Sequence, residues 1–189
     1  MSKSRLALFG GESVVPDGLP SGSTIGNAER QAVNRVIDSG ELSGFIGTPG
    51  DAFLGGVELR ALEREWRSFF STPHAIAVNS ATSGLHVALL ALGVSPGDEV
   101  IVPPLTMSAT ATTVLFCGGI PRFADIEEEF FTIDPQKVEG LINPSTKGII
   151  AVNLFGGAAD LDALTTIASR HNLFLLEDNA QAPAATLNQ

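Results

Sequence analysis

The chain has 189 residues, of which 44% are hydrophobic, and it carries a formal net charge of -10 at pH 7. This length allows one sizeable core, and the acidic balance argues against nucleic-acid binding, because that function needs basic patches that neutralise phosphates. Cys117 is the single cysteine, which predicts a protein without intramolecular disulfides and favours the cytoplasm. No apolar run approaches the length of a membrane span and no long apolar leader is visible, so no membrane partner is predicted.

The first part of the chain, residues 1–73, is predicted to be a helical lead-in with a loop on the substrate side. Asn27 can cap a first helix, whose apolar residues follow helical spacing until Gly40 ends it. A glycine-rich loop spans residues 43–56, and a loop of this length in a compact chain is either functional or disordered. A second helix with one apolar face and one charged face then runs to Phe70.

From His74 onward, strands alternate with helices. Asp134 followed by proline is a clear helix start, and Pro121 favours either the first position of its strand or an edge strand. Alternation of this kind implies right-handed crossovers and a largely parallel sheet, so we predict an α/β fold with αβα layers. The predicted strands are Ala75–Val78, Glu99–Val102, Ile120–Ala124, Gly148–Val152 and a fifth that starts at Leu173, and a helix is predicted over Met107–Phe116.

The fifth predicted strand is an apolar run that stops abruptly at Glu177 and Asp178, with Gln181 just beyond. In open α/β sheets, ligands gather at the carboxyl ends of such strands. A carboxylate at Asp178 could pair with a protonated ring nitrogen, which is the partner that the ring of pyridoxal phosphate (PLP) requires. The alternative is an acid that merely caps the next segment, because aspartate after a strand is a common start signal.

A second candidate site is the turn at residues 80–84, which stands between the first predicted strand and a helix. Amides at a helix N-terminus lack intrahelical partners and face the positive end of the dipole, so they bind anions readily. The alternative is a capped helix with no ligand. Taken with Asp178, the turn would bind the phosphate pole of a PLP molecule whose ring nitrogen meets the acid.

Other chemistries find little support. His74, His86 and His171 are widely spaced and no CxxC pair exists, so no metal site is predicted. Cys117 follows an apolar helix, which favours a buried thiol over a nucleophile. The G-x-S-x-G elbow of hydrolases and the G-x-G-x-x-G turn of dinucleotide sites are both missing.

Five stretches of the chain have the form of sequence motifs: Asn79–His86, Pro96–Pro103, Asn153–Gly156, Ala159–Asp162 and Glu177–Ala182. Together, in this order, they resemble the DegT/DnrJ/EryC1/StrS family of PLP-dependent aminotransferases, and the resemblance runs from about Leu6 to the last residue. It implies the type I aminotransferase fold and a homodimer. It also implies transfer of an amino group, usually from glutamate, to a keto sugar nucleotide or a keto cyclitol, although a few relatives are dehydratases.

The resemblance also implies roles for five residues. Ala81 and Thr82 would bind the PLP phosphate, and Asp178 would bind the pyridine nitrogen. Gln181 would lie beside the ring hydroxyl. Met107 would cover one ring face, where many relatives have an aromatic residue; its alternative is a plain core methionine on a helix.

The family also requires a lysine that forms a Schiff base, and this residue follows the Asp-x-x-Gln segment. The chain contains only Lys3, Lys137 and Lys147, none of which follows Asp178. We therefore expect residues 74–189 to be the N-terminal part of a PLP-binding large domain that is incomplete at its C-terminus. The catalytic-lysine segment and the small C-terminal domain would be absent, so this piece alone would be inactive. The alternative is a non-catalytic binding protein that kept the scaffold.

Overall fold

A computed structural model describes residues 11–12 and 24–187. Residues 1–10 lie outside this range. The structure therefore does not describe the segment in which no leader is expected, nor Lys3, which does not match the position of the Schiff-base lysine. Contacts divide the chain into a first compact unit that ends at Ala61 and a second that begins at Leu62. The division into domains at residue 73 stays a prediction.

The first unit contains helix α1, Asn27–Ser39. Its cap is Gly26 and not Asn27, because the backbone at Gly26 is extended and Asn27 already lies within the helix. Gly40 ends the helix in the left-handed conformation, with φ of 71°, as the sequence predicts. A single 3-10 turn, Asp51–Leu54, precedes helix α2, Val57–Phe70, which crosses the boundary between the two units.

The second unit holds a four-stranded parallel sheet in the order β2-β1-β3-β4. Four of the five predicted strands are confirmed, and Pro121 lies in an edge strand as expected. Asp134 caps its helix by accepting a hydrogen bond from the amide of Gln136. The elements are α3 Ala81–Ala91, β1 Glu99–Val102, α4 Ala109–Phe116, β2 Ile120–Phe123, α5 Pro135–Leu141, β3 Thr146–Val152, α6 Leu161–His171 and β4 Phe174–Asp178.

The predicted strand Ala75–Val78 is wrong for the described structure. This segment pairs with no other strand among residues 24–187, and Ile76 is 78% exposed. A strand exists only where a neighbour accepts its ladder of hydrogen bonds. Here the amide of Ala77 donates instead to the Glu63 carboxylate at 2.9 Å.

Two apolar clusters cover the two faces of the sheet. Strand β3 shows how the faces separate, because Ile150 and Val152 join one cluster while Ile149 and Ala151 join the other. The first cluster includes residues of α3 and α4, and the second includes residues of α5 and α6. The predicted αβα layering is therefore confirmed, and Cys117 is buried in the first cluster as expected.

No helix in the described ranges is long and apolar enough to cross a membrane.

Candidate active site at the carboxyl end of the sheet

A cleft of about 280 Å³ lies between the N-terminus of α3 and the C-terminal end of β4. The two segments that the sequence analysis singled out are therefore brought to one place, although about 100 residues of chain separate them. Parallel strands end at the same edge of a sheet, and loops at that edge form ligand clefts. The lining residues are Ala81, Gly84, Leu85, Leu176, Glu177, Asp178, Asn179 and Ala180.

The first turn of α3 presents two free backbone donors. Ser80 caps the helix, because its hydroxyl accepts from the amide of Ser83 at 3.1 Å and its carbonyl accepts from the amide of Gly84 at 3.0 Å. Within residues 24–187, no acceptor is assigned to the amides of Ala81 and Thr82. These two amides stand at the positive end of the helix dipole, so they suit an anion such as a phosphate.

Asp178 ends β4 as a buried acid, only 8% exposed. Its Oδ1 accepts from the amide of Ala180 at 3.2 Å, and its Oδ2 accepts from the hydroxyl of Thr110 at 3.3 Å. The first contact is the local cap that the alternative interpretation expects. The second contact is a long-range one, and it orients the carboxylate at the edge of the sheet.

Asn153 is a site residue whose role the sequence analysis missed. It follows β3, is 2% exposed, and its amide donates to the carbonyl of Asp178 at 3.0 Å. Its side chain donates to Glu177 and, at 3.1 Å, to Asn179, and accepts from the amide of Ala159 at 2.9 Å. Asn153 therefore bonds to the residues directly before and after Asp178 and fixes the end of β4. The available signal was a polar residue directly after an apolar strand.

Thr110 and Thr106 were also missed. Thr110 is fully buried in the first turn of α4, and its hydroxyl lies 3.2 Å from that of Thr106. Their spacing of four residues is the only sequence signal, and it does not reveal that Thr110 meets Asp178.

The remaining predicted residues, Thr82, Met107 and Gln181, do not line the cleft. Met107 is 67% exposed and lies two residues before α4, so the core-methionine alternative is wrong and the predicted helix Met107–Phe116 is confirmed only from Ala109 onward. The cause is local, since Ser108 is the N-cap residue of α4. Gln181 is half-buried in the turn after β4. Thr82 lies one residue from the lining residue Ala81.

No lysine among the described residues lies at this cleft. Lys137 is exposed on α5, and Lys147 is exposed near the start of β3, at the opposite end of the sheet from Asp178. Burial raises the pKa of the Cys117 thiol, which disfavours a thiolate nucleophile. Across residues 11–12 and 24–187, no group of three or more histidine, cysteine, aspartate or glutamate side chains could hold a metal ion.

Comparison with known proteins gives similar sequences and structures. Spore coat polysaccharide biosynthesis protein SpsC of Bacillus subtilis is 42% identical over 165 residues, which is 87% of this chain and 40% of SpsC. The dTDP-3-amino-3,4,6-trideoxy-alpha-D-glucose transaminase of Streptomyces venezuelae is 41% identical over 82% of this chain and 38% of that protein.

A crystal structure of GDP-4-keto-6-deoxymannose-3-dehydratase with a trapped PLP-glutamate geminal diamine superimposes with a TM-score of 0.77. The two sequences are 27% identical, and the superposition covers 89% of this chain and 42% of the dehydratase chain. The described α/β unit is thus part of the fold of PLP-dependent aminotransferases and related enzymes. This chain spans about 40% of the length of SpsC.

The model of one protein family matches residues 24–189, which include both segments of the cleft. The chain therefore belongs to the DegT/DnrJ/EryC1/StrS aminotransferase family.

Proposed function

We propose that this chain is the cofactor-binding part of a PLP-dependent aminotransferase that transfers an amino group from glutamate to a keto sugar nucleotide or a related keto cyclitol. The observation that carries the proposal is the cleft in which the free amides of α3 and the buried acid of β4 meet. The family supports the reaction class, and the relatives support the substrate class.

The residues of the cleft fit the two poles of PLP. The unpartnered amides of Ala81 and Thr82 suit its phosphate, and the Thr82 hydroxyl adds a donor. An ionised carboxylate offers about four acceptor positions, of which protein donors occupy two at Asp178. Burying such a charge is costly unless it is paired, and a protonated ring nitrogen is a partner that would remove this cost.

In the proposed enzyme, each residue acts on a named atom. Asp178 keeps a proton on the pyridine nitrogen, Gln181 lies beside the ring hydroxyl, and Met107 packs on one ring face. PLP, when bound with its ring protonated, acts as an electron sink for the substrate carbon that loses its proton. The thioether of Met107 gives less contact area than an aromatic ring would.

Proton transfer at the substrate carbon needs a lysine, which forms the link to the cofactor and then carries the proton. Lys137 and Lys147 stand away from the cleft, so we assign this role to a residue outside the described range. We propose that the enzyme is a homodimer, as the family resemblance implies, and that it is cytoplasmic, which its single cysteine favours.

A dehydratase of the same family is the second candidate. The structural similarity to GDP-4-keto-6-deoxymannose-3-dehydratase favours it. A non-catalytic binding protein that kept the scaffold is the third candidate, which the sequence analysis left open.

The three candidates differ in their products. The complete protein is incubated with PLP, ¹⁵N-glutamate and a panel of keto sugar nucleotides and keto cyclitols, and the products are identified by mass spectrometry. An aminotransferase incorporates ¹⁵N into the product. A dehydratase gives a deoxy sugar without ¹⁵N, while glutamate is oxidised to 2-oxoglutarate and its nitrogen is released as ¹⁵N-ammonia. A non-catalytic protein leaves every substrate unchanged. Either of the last two results would contradict the proposed function.

A further inference from the structure

Two threonine hydroxyls connect Asp178 with the segment that carries Met107. Thr110 Oγ1 donates to Asp178 Oδ2 at 3.3 Å, and Thr106 Oγ1 lies 3.2 Å from Thr110 Oγ1. An ionised carboxylate only accepts hydrogen bonds, so the single proton of the Thr110 hydroxyl is committed to Asp178. Thr106 must therefore donate to Thr110. We call these three groups, Thr106, Thr110 and Asp178, the threonine relay.

The contact between Thr110 and Asp178 joins distant parts of the fold. Thr110 belongs to α4, which follows β1, whereas Asp178 ends β4, and β3 separates these two strands in the sheet. Thr113 provides an internal comparison, because it is fully buried on the same helix, yet its hydroxyl bonds only to backbone carbonyls of α4. The hydroxyl of Thr110 leaves its own helix to contact the acid.

We propose that Thr110 is a positioning residue for the acid that meets the ring nitrogen, an inference that rests on the proposed function. The Thr110 hydroxyl holds one oxygen of Asp178, and the amide of Ala180 holds the other. Two donors on different oxygens fix the plane of the carboxylate. The acid therefore faces the cleft in one orientation before the cofactor arrives, which lowers the entropic cost of binding.

Thr106 extends this role to a second cofactor contact. It is the residue directly before Met107, and its hydroxyl is tied to Thr110. The threonine relay thus couples the acid at the ring nitrogen to the segment proposed to cover the ring face. Loss of the Thr110 hydroxyl removes a donor from a buried carboxylate and releases both contacts.

The test uses three variants of the complete protein: Thr110→Val, its conservative partner Thr110→Ser, and the matched control Thr113→Val. The PLP dissociation constant is measured by fluorescence titration, and the glutamate half-reaction is followed by stopped-flow absorbance. We expect Thr110→Val to weaken PLP binding by about tenfold and to slow the half-reaction, because a hydrogen bond to a charged group is lost. Thr110→Ser should restore both, and Thr113→Val should change neither.

A second readout needs no cofactor. A double-mutant cycle of Thr110→Val with Asp178→Ala, measured by chemical unfolding of the cofactor-free protein, should show coupling of about tenfold in the unfolding constant. The same cycle with Thr113→Val should show none. If Thr110→Val does not fold, Thr106→Val keeps Thr110 in place and should weaken PLP binding roughly threefold.

Each adverse outcome points to a different error. Equal PLP affinity and equal rates in Thr110→Val and Thr113→Val would overturn the positioning role alone. Coupling in the unfolding cycle without any effect on PLP affinity would leave a purely structural hydrogen bond, which also overturns the role. A wild-type protein that neither binds PLP nor reacts with glutamate would overturn the proposed function, and the positioning role with it.

Discussion

The two ends of the parallel sheet each carry a cleft, and the cleft that we propose for the cofactor differs from the other in the burial of its charged residue. The amino end carries the larger cleft, of about 500 Å³, lined in part by the exposed residues Ser145, Lys147 and His171. The carboxyl end carries the smaller one, of about 280 Å³, with the buried acid Asp178 at its edge. Volume does not mark the site here. A buried charge with incomplete protein partners does, because such a group needs a further partner.

A pair of asparagines makes the comparison sharper. Asn143 at the amino end bonds to Glu99 at 2.7 Å and accepts from the amide of Ser145, and it is half-buried. Asn153 at the carboxyl end bonds to Glu177 and accepts from the amide of Ala159, and it is buried. Both side chains tie a strand to its neighbour. Only Asn153 flanks the acid that we propose meets the cofactor.

The largest effect is expected for Asp178→Asn in the complete protein. The substitution removes the charge that pairs with the ring nitrogen, and loss of a buried charge partner costs about 3–5 kcal/mol. The rate of the glutamate half-reaction should therefore fall roughly 10²–10⁴-fold. Asp160→Asn is the matched control, because Asp160 caps α6 from an exposed position and asparagine also caps. A near wild-type rate in Asp178→Asn would remove this residue from its proposed role.

The asparagine pair provides the next test. Asn153→Ala leaves the buried amide of Ala159 without an acceptor, so unfolding should become easier by about 1–3 kcal/mol. Asn143→Ala should lower the free energy of unfolding by less, because Asn143 is only half-buried. Chemical unfolding measures both changes, and PLP titration separates them, since only Asn153→Ala should weaken cofactor binding. Equal losses of PLP affinity in the two variants would mean that the effect is one of general stability.

A smaller effect is expected for Thr82→Val, which keeps the backbone amide but removes one hydroxyl from the first turn of α3. PLP affinity should fall roughly tenfold if a charge-assisted hydrogen bond worth about 1.5–3 kcal/mol is lost. Thr165→Val, which changes an exposed threonine on α6, is the control and should have no effect. An unchanged dissociation constant for Thr82→Val would favour the simple interpretation of a capped helix without a ligand.

The smallest effect is expected at the amino end of the sheet. Lys147→Met should leave PLP affinity and the half-reaction rate unchanged, because Lys147 stands at the opposite end of the strands from Asp178. Borohydride reduction with PLP, followed by peptide mapping, checks the same point directly. Specific labelling of Lys147, or loss of the half-reaction in the variant, would show that the proposed site lies at the wrong end of the sheet.

Much of the second unit was predictable from the sequence because its signals are local. The apolar run before Glu177 lies in β4, which ends at Asp178, and the proline after Asp134 starts a helix as predicted. Alternation of strands and helices then implies a parallel sheet whose carboxyl ends share one edge. The meeting of the α3 turn with Asp178 follows from that topology, so the sequence predicted that these two segments share one cleft, as the structure shows.

Strand pairing and side-chain contacts between distant parts of the chain were decided by the tertiary structure. The segment at residues 75–78 has the composition of a strand, but a strand needs a neighbour, and none is described beside it. Met107 was expected to lie in a helix, yet it precedes α4 and is exposed. The contact of Thr110 with Asp178 spans 68 positions of chain, and no pattern within either segment encodes it. Residue periodicity reports which face of an element is apolar, whereas hydrogen bonds between buried polar groups depend on how separate elements pack.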